Sequence, residues 1–184
     1  KPFDNVIEFL KWNKSNNIKI GIITNFQTEY QIKKLKKLNI YDLIDNLITS
    51  EEVGIEKPHE FIFDYALNQM KVIPEETIMI GDSITNDITP ANKLNIYGFL
   101  LQKDSYLKHK NYTIFNNYNN LLYLFSEIKF KLNEFQHISQ YCGERFDLVQ
   151  AGGGNISFKF DDLLYIKSSG CSLSSVSNTN NYSI

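Results

Sequence analysis

Cysteine is scarce in this chain: Cys142 and Cys171 are the only two in 184 residues, far apart and outside any Cys-x-x-Cys. That usage indicates neither a zinc ribbon nor a disulfide framework. An excess of one charge is also lacking. Nineteen Lys and Arg stand against 21 Asp and Glu, for a formal net charge of −2. No cationic surplus is left to hold a nucleic-acid backbone or an anionic membrane. Long apolar runs are missing too. Leu121–Phe125, among the longest, falls far short of the ~20 residues of a membrane span, and no charged-then-apolar leader reads as a signal peptide. No Asp-x-Asp occurs anywhere. The expectation is a soluble cytoplasmic protein with no nucleic-acid or membrane partner. The 42% apolar content is enough for a buried core, which argues against disorder. At roughly 100–200 residues per domain, the length allows one domain and part of another. Because it starts at Lys1 rather than Met and stops in a Ser/Asn-rich run, the chain reads as a piece cut from a longer protein.

The first two thirds alternate between two grammars. Residues 18–25, IKIGIITN, are a β-branched run of the kind buried on both faces of a parallel sheet. Thr28 to Leu38 then repeats Ile32, Leu35 and Leu38 at helical spacing with lysines between, and Asn39 is suited to end it. A short run follows at Leu47–Thr49, then Gly54–Pro58 (GIEKP), then a helix from about His59 to Met70 with Ile62, Tyr65, Ala66 and Gln69/Met70 as its stripe. Thr77–Ile80 is another buried strand and opens into Gly81–Asp87 (GDSITND). A helix through Ala91–Leu94 and strands at Tyr97–Leu101 and Tyr112–Phe115 complete the series. Strand–helix alternation with short connections predicts an α/β domain on a parallel sheet. Ligands of such sheets sit beyond the carboxyl ends of the strands, where Thr24-Asn25 and Gly81–Asp87 lie.

Asp82 and Asp87 stand on the turn leaving a buried strand, behind a glycine that permits close backbone approach. Magnesium favours one or two carboxylates with waters and phosphate oxygens, and this loop offers that donor set. It also reads as an Asx-type turn, with Asp82 capping the next helix and Asp87 solvated. Thr24 and Asn25 fit a phosphate held by a hydroxyl and main-chain N–H groups, or an ordinary helix cap. Lys57 precedes Pro58, which suits a helix start. A cation is electrostatically poor there, unless an anion or carboxylate meets it; the alternative is a solvated surface lysine.

In this order, Thr24-Asn25, Lys57-Pro58 and Gly81-Asp82…Asp87 resemble the second, third and fourth motifs of the haloacid-dehalogenase-like (HAD) hydrolase superfamily, over about residues 1–117. The resemblance implies a Rossmann-like parallel sheet with flanking helices and a phosphorylated small-molecule substrate. It assigns Thr24 and Asn25 to the transferring phosphoryl group and Lys57 to its charge. Asp82 becomes a Mg2+ ligand, and Asp87 supports the metal or orients Lys57. Family phosphatases attack with the first aspartate of a DxDx[TV] motif after the first buried strand, forming an aspartyl-phosphate. That motif is lacking, and Lys1–Asn17 resembles the helix by which a helical cap returns to the core. The first strand, nucleophile and most of the cap are therefore expected upstream of Lys1, leaving this fragment inactive by itself.

A boundary is expected near residue 127, dividing a core of 1–126 from a segment of 127–184. Leu121–Phe125, Ile128, Leu132, Phe135 and Ile138 read as helix, and Ile156–Phe160 with Leu164–Lys167 as a hairpin about Asp161-Asp162. Gly152–Asn155 is neither GxGxxG nor followed by GK[ST], so dinucleotide and P-loop readings fail; a flexible turn is the plain alternative. The run Ala151–Gly170 resembles the start of the class II aldolase/adducin family, covering about 135–184. That resemblance implies a partial α/β aldolase-type segment in which Asn155, Ser169 and Gly170 contact a sugar phosphate beside Ser157. The complete domain would take Zn2+ on ligands not in this chain and could form oligomers. His59, His109 and His137 show no ligand spacing.

The leading reading is the core of a magnesium-dependent phosphatase fused to a sugar-phosphate aldolase-like domain. Alternatives are a non-catalytic binding or assembly module, or a HAD dehalogenase. A receiver-type signalling domain would need an early acidic pair and a phospho-acceptor, and neither is seen.

Overall fold

The computed structural model describes residues 2–102, 110–144, 157–160, 163–167, 171–177 and 182–183. The chain divides into two compact units, Lys1–Leu122 and Tyr123–Ile184.

In the first unit, helix α1 (Val6–Ser15) leads to strand β1 (Gly21–Thr24), helix α2 (Thr28–Lys37), strand β2 (Asn46–Thr49) and the single turn α3 (Ser50–Val53). Helix α4 (Glu60–Met70), strand β3 (Ile78–Gly81), a π-helical turn at Ile84–Ile88, helix α5 (Thr89–Lys93) and strands β4 (Tyr97–Leu101) and β5 (Tyr112–Phe115) follow. All strand pairs here are parallel, in two sections: β1–β2, with Ile22 beside Leu47, and β3–β4–β5, with Ile80 beside Phe99. This is the expected α/β alternation.

Sequence accounts for most boundaries. Asn39 ends α2 at φ 55°, in the left-handed region where Asn is tolerated best after Gly. The α2 face that turns inward is centred on Gln31 and Leu35, with Ile32 and Leu38 at its margins. On α4 the buried stripe is Ile62, Phe63, Ala66 and Leu67, while Gln69 is exposed and Tyr65 half-buried. The expected stripe was rotated by part of a turn, because Phe63 and Leu67 bury more apolar area than Tyr65 and Gln69. Helix α4 also opens later than Pro58: His59 is its cap, accepting the Phe61 N–H through Nδ1 at 3.2 Å.

Ile48, Ile62, Phe63, Ala66, Leu67, Ala91 and Ile96 form one core cluster against Ile23 and Met79, joining α4 and α5 to the strands. A second cluster, Ile88, Leu100 and Ile114, anchors the end of the acidic loop on β4 and β5.

The 27-residue helix α6 (Tyr118–Glu144) runs unbroken through residue 127, and the compact units part after Leu122. Beyond it, strands β6 (Ser157–Phe160) and β7 (Leu163–Lys167) pair as the expected antiparallel hairpin, and β8 (Tyr182–Ser183) adds to β7. Among the described residues, no helix is long and apolar enough to cross a membrane.

Candidate active site

The carboxyl ends of β1 and β3 carry the polar residues singled out by sequence. Strand β1 runs apolar until Thr24, after which the chain turns at Asn25 and Phe26 into α2. Phe26 sits at φ 107°, where a bulky residue is an outlier, and its N–H donates to Ser50 Oγ at 2.9 Å. The cap position of α2 is Gln27, so neither Thr24 nor Asn25 caps it. Thr24 Oγ1 instead accepts from Gln31 Nε2 at 3.0 Å.

Asn25 reaches across to the segment before α4. Its Oδ1 accepts the Lys57 N–H at 2.8 Å, and its Nδ2 donates to the Lys57 carbonyl at 3.1 Å. The amide thus grips both polar groups of one residue's main chain, beside a cis Lys57–Pro58 peptide.

Lys57 is not a solvated surface lysine. Its side chain is 16% exposed, and Nζ lies 2.5 Å from Oδ1 of Asp87, which is 6% exposed. The second Asp87 oxygen accepts the Ser83 N–H at 3.2 Å. Asp87 is therefore neither solvated nor surplus: it is a buried carboxylate that fixes the lysine ammonium. The capping role that the alternative reading gave Asp82 belongs to Ser83, whose Oγ accepts the Asn86 N–H at 3.1 Å.

Asp82 is left exposed, with no hydrogen bond or ion pair to another described residue. Its charge is felt by Tyr118: burial, and secondarily the Asp82 carboxylate, push that phenol above its ordinary pKa. No group of three His, Cys, Asp or Glu gathers among the described residues. An exposed carboxylate at a strand end, outside any such cluster of the described residues, has the donor chemistry of magnesium, which completes its shell with water and phosphate oxygens. Asp87, with both oxygens engaged, suits the lysine better than the metal.

Gly81 is set by this packing. A Cβ there would stand 2.5 Å from both Cβ and Oδ2 of Asp87. Gly81→Ala therefore displaces the carboxylate that holds Lys57. Overpacking of this kind costs about 1–3 kcal/mol. A lowered melting temperature is the expected outcome; a variant that melts like wild type would show that the loop yields freely.

The structure thus brings together Thr24, Asn25, Lys57 and Asp87, and sets Asp82 on the same loop as Asp87. Asn155, Ser169 and Gly170 lie outside the described residues, and Ser157 is exposed on β6. Sequence reading passed over Gln31 and Ser50. Gln31 had one signal: a polar residue four before Leu35, on the apolar face of α2.

The family model for haloacid dehalogenase-like hydrolases matches residues 1–100. A glyceraldehyde 3-phosphate phosphatase of Methanocaldococcus jannaschii is 38% identical over 106 residues, 58% of this chain and 46% of that protein. A ribulose-1,5-bisphosphate 5-phosphatase of Halopiger xanaduensis is 35% identical over 89 residues, 48% of this chain and 37% of that protein. Among solved structures, a HAD phosphatase from Thermococcus onnurineus superposes with a TM-score of 0.61 at 26% identity, over 68% of this chain and 58% of that one. The chain spans about half the length, or less, of the curated relatives it matches. The family match ends at residue 100, and the resemblance of the tail to class II aldolases rests on sequence alone.

Proposed function

The chain belongs to the haloacid dehalogenase-like hydrolase family, and we propose that it forms the core of a magnesium-dependent phosphatase for a phosphorylated small molecule. The observation that carries this reading is the buried Lys57–Asp87 pair, held at the strand ends by Asn25 and Ser83. A cation fixed in that way faces developing negative charge without having to reorganise. Thr24 offers its hydroxyl to the phosphoryl oxygens, Lys57 offsets their charge, and Asp87 keeps the ammonium in place. Magnesium, held by Asp82, would supply Lewis-acid stabilisation of the phosphoryl group. A paired lysine beside a free carboxylate suits a doubly charged phosphate ester better than a haloacid, so hydrolysis of phosphate is favoured over dehalogenation.

The nucleophile belongs, on this reading, to a further strand lying between β1 and β3. Two features support it. Among the described residues β1 pairs only with β2 and β3 only with β4, although Asn25, Lys57 and Asp87 link their ends. The first residues of both strands, Gly21 and Ile78, are exposed, whereas β4 and β5 are mostly buried. Interior strands of a parallel sheet are covered on both faces. The same reading makes residues 135–184 the opening of an aldolase-like sugar-phosphate module, which takes in the end of α6, the β6–β7 hairpin and β8.

The 184 residues by themselves are expected to release no phosphate from p-nitrophenyl phosphate with magnesium, whereas the full-length protein does so. Turnover by the 184-residue chain that disappears in its Asp82→Ala variant would refute the placement of the nucleophile.

A further inference from the structure

Gln31 belongs to none of the motifs, yet it is 9% exposed on α2 and its amide nitrogen bonds two acceptors of the site. Nε2 lies 3.0 Å from Thr24 Oγ1 and 3.0 Å from the Asn25 carbonyl oxygen. A carbonyl oxygen can only accept, so the amide group facing it is the NH2 and not the oxygen. Its two N–H bonds serve the two acceptors. Thr24 Oγ1 thereby has one lone pair filled, and it keeps its proton and its second lone pair. In the structure that proton goes to the Asn25 carbonyl at 3.2 Å, an acceptor that Gln31 already occupies. An arriving phosphoryl oxygen, being charged, is the stronger acceptor.

We propose that Gln31 is a positioning residue that holds the Thr24 hydroxyl as a hydrogen-bond donor toward the phosphoryl group. This rests on the reading that Thr24 meets that group. An apolar residue at position 31 would free the hydroxyl to point anywhere, and an acceptor would turn its proton inward. The Asn25 carbonyl would lose the same partner in either case, so a purely structural role for Gln31 predicts a cost independent of Thr24.

The test is a double-mutant cycle in the full-length protein, with p-nitrophenyl phosphate and magnesium. Thr24→Val and Gln31→Met are each expected to lower kcat/KM by about 10–100-fold, the size of one hydrogen bond to a charged group. Gln31→Met in the Thr24→Val background is expected to cost less than about twofold. An equal cost in both backgrounds, or no cost in either, overturns the proposal. If Gln31→Met does not fold, Gln31→Glu keeps the size. Its ionised carboxylate accepts the Thr24 proton, so kcat relative to wild type should fall near pH 8 and recover as the pH drops toward about 5.5. A pH-independent ratio would overturn it equally. Wild-type activity in both Thr24→Val and Lys57→Ala would instead remove the phosphatase reading itself. Loss in those two with an unaffected Gln31→Met removes only the role of Gln31.

Discussion

Asp82→Ala is expected to abolish most phosphatase turnover in the full-length protein while leaving its stability almost untouched. The carboxylate is exposed and has no hydrogen bond or ion pair to another described residue. Its removal therefore deletes no buried contact, and surface changes of that kind usually stay within about 0.5 kcal/mol. Activity is another matter. A metal-held charge at the phosphoryl oxygens contributes several kcal/mol, so kcat/KM should fall by about 1,000-fold. Magnesium titration of the remaining activity should show a weakened requirement. The measurements are steady-state kinetics and a thermal melt on one preparation. Near-normal turnover with an unchanged magnesium dependence would sink the assignment of Asp82.

Lys57→Ala should fail in both assays. Its ammonium is the partner of Asp87, whose side chain is only 6% exposed. Removing the cation leaves a buried carboxylate with the Ser83 N–H alone. Breaking a buried pair from one side costs about 3–5 kcal/mol. Catalysis loses the positive charge that offsets the phosphoryl group, a further loss of about 100–1,000-fold in kcat. The double variant Lys57→Met/Asp87→Asn separates the two effects. It removes both charges, so stability should return toward wild type while activity does not. If the single variant melts and turns over like wild type, the pair has neither role. If the double variant regains activity, the lysine serves structure alone.

The pattern of agreement follows from the range of each interaction. Alternating β-branched runs and helical stripes placed the strands and helices correctly, because those patterns depend on neighbours a few residues away. The buried stripe of α4 differs from the expected one by part of a turn, since two runs of three apolar residues, Phe61–Phe63 and Tyr65–Leu67, leave the buried face to be chosen by the sheet. The alternative in which Asp82 caps the acidic loop fails for a related reason. Asp82 and Ser83 can both cap, and only the path of the turn selects Ser83. The grip of the Asn25 amide on Lys57, 32 residues away, is a pairing that linear spacing does not show.

Sequence alone therefore determined the alternation of the α/β unit, the order of its motifs and the residue types at the strand ends. Two widely spaced cysteines, Cys142 and Cys171, and 19 basic against 21 acidic residues are likewise legible without a structure. Tertiary structure decided the division of labour among those residues. Asp87 holds the lysine and Asp82 stands free because Asp87 packs against Gly81 in the loop, where a Cβ could not fit. Gln31 entered the site because α2 turns its one buried amide onto Thr24. Both outcomes depend on which side chains the parallel strands bring to one edge, and linear spacing does not encode that proximity.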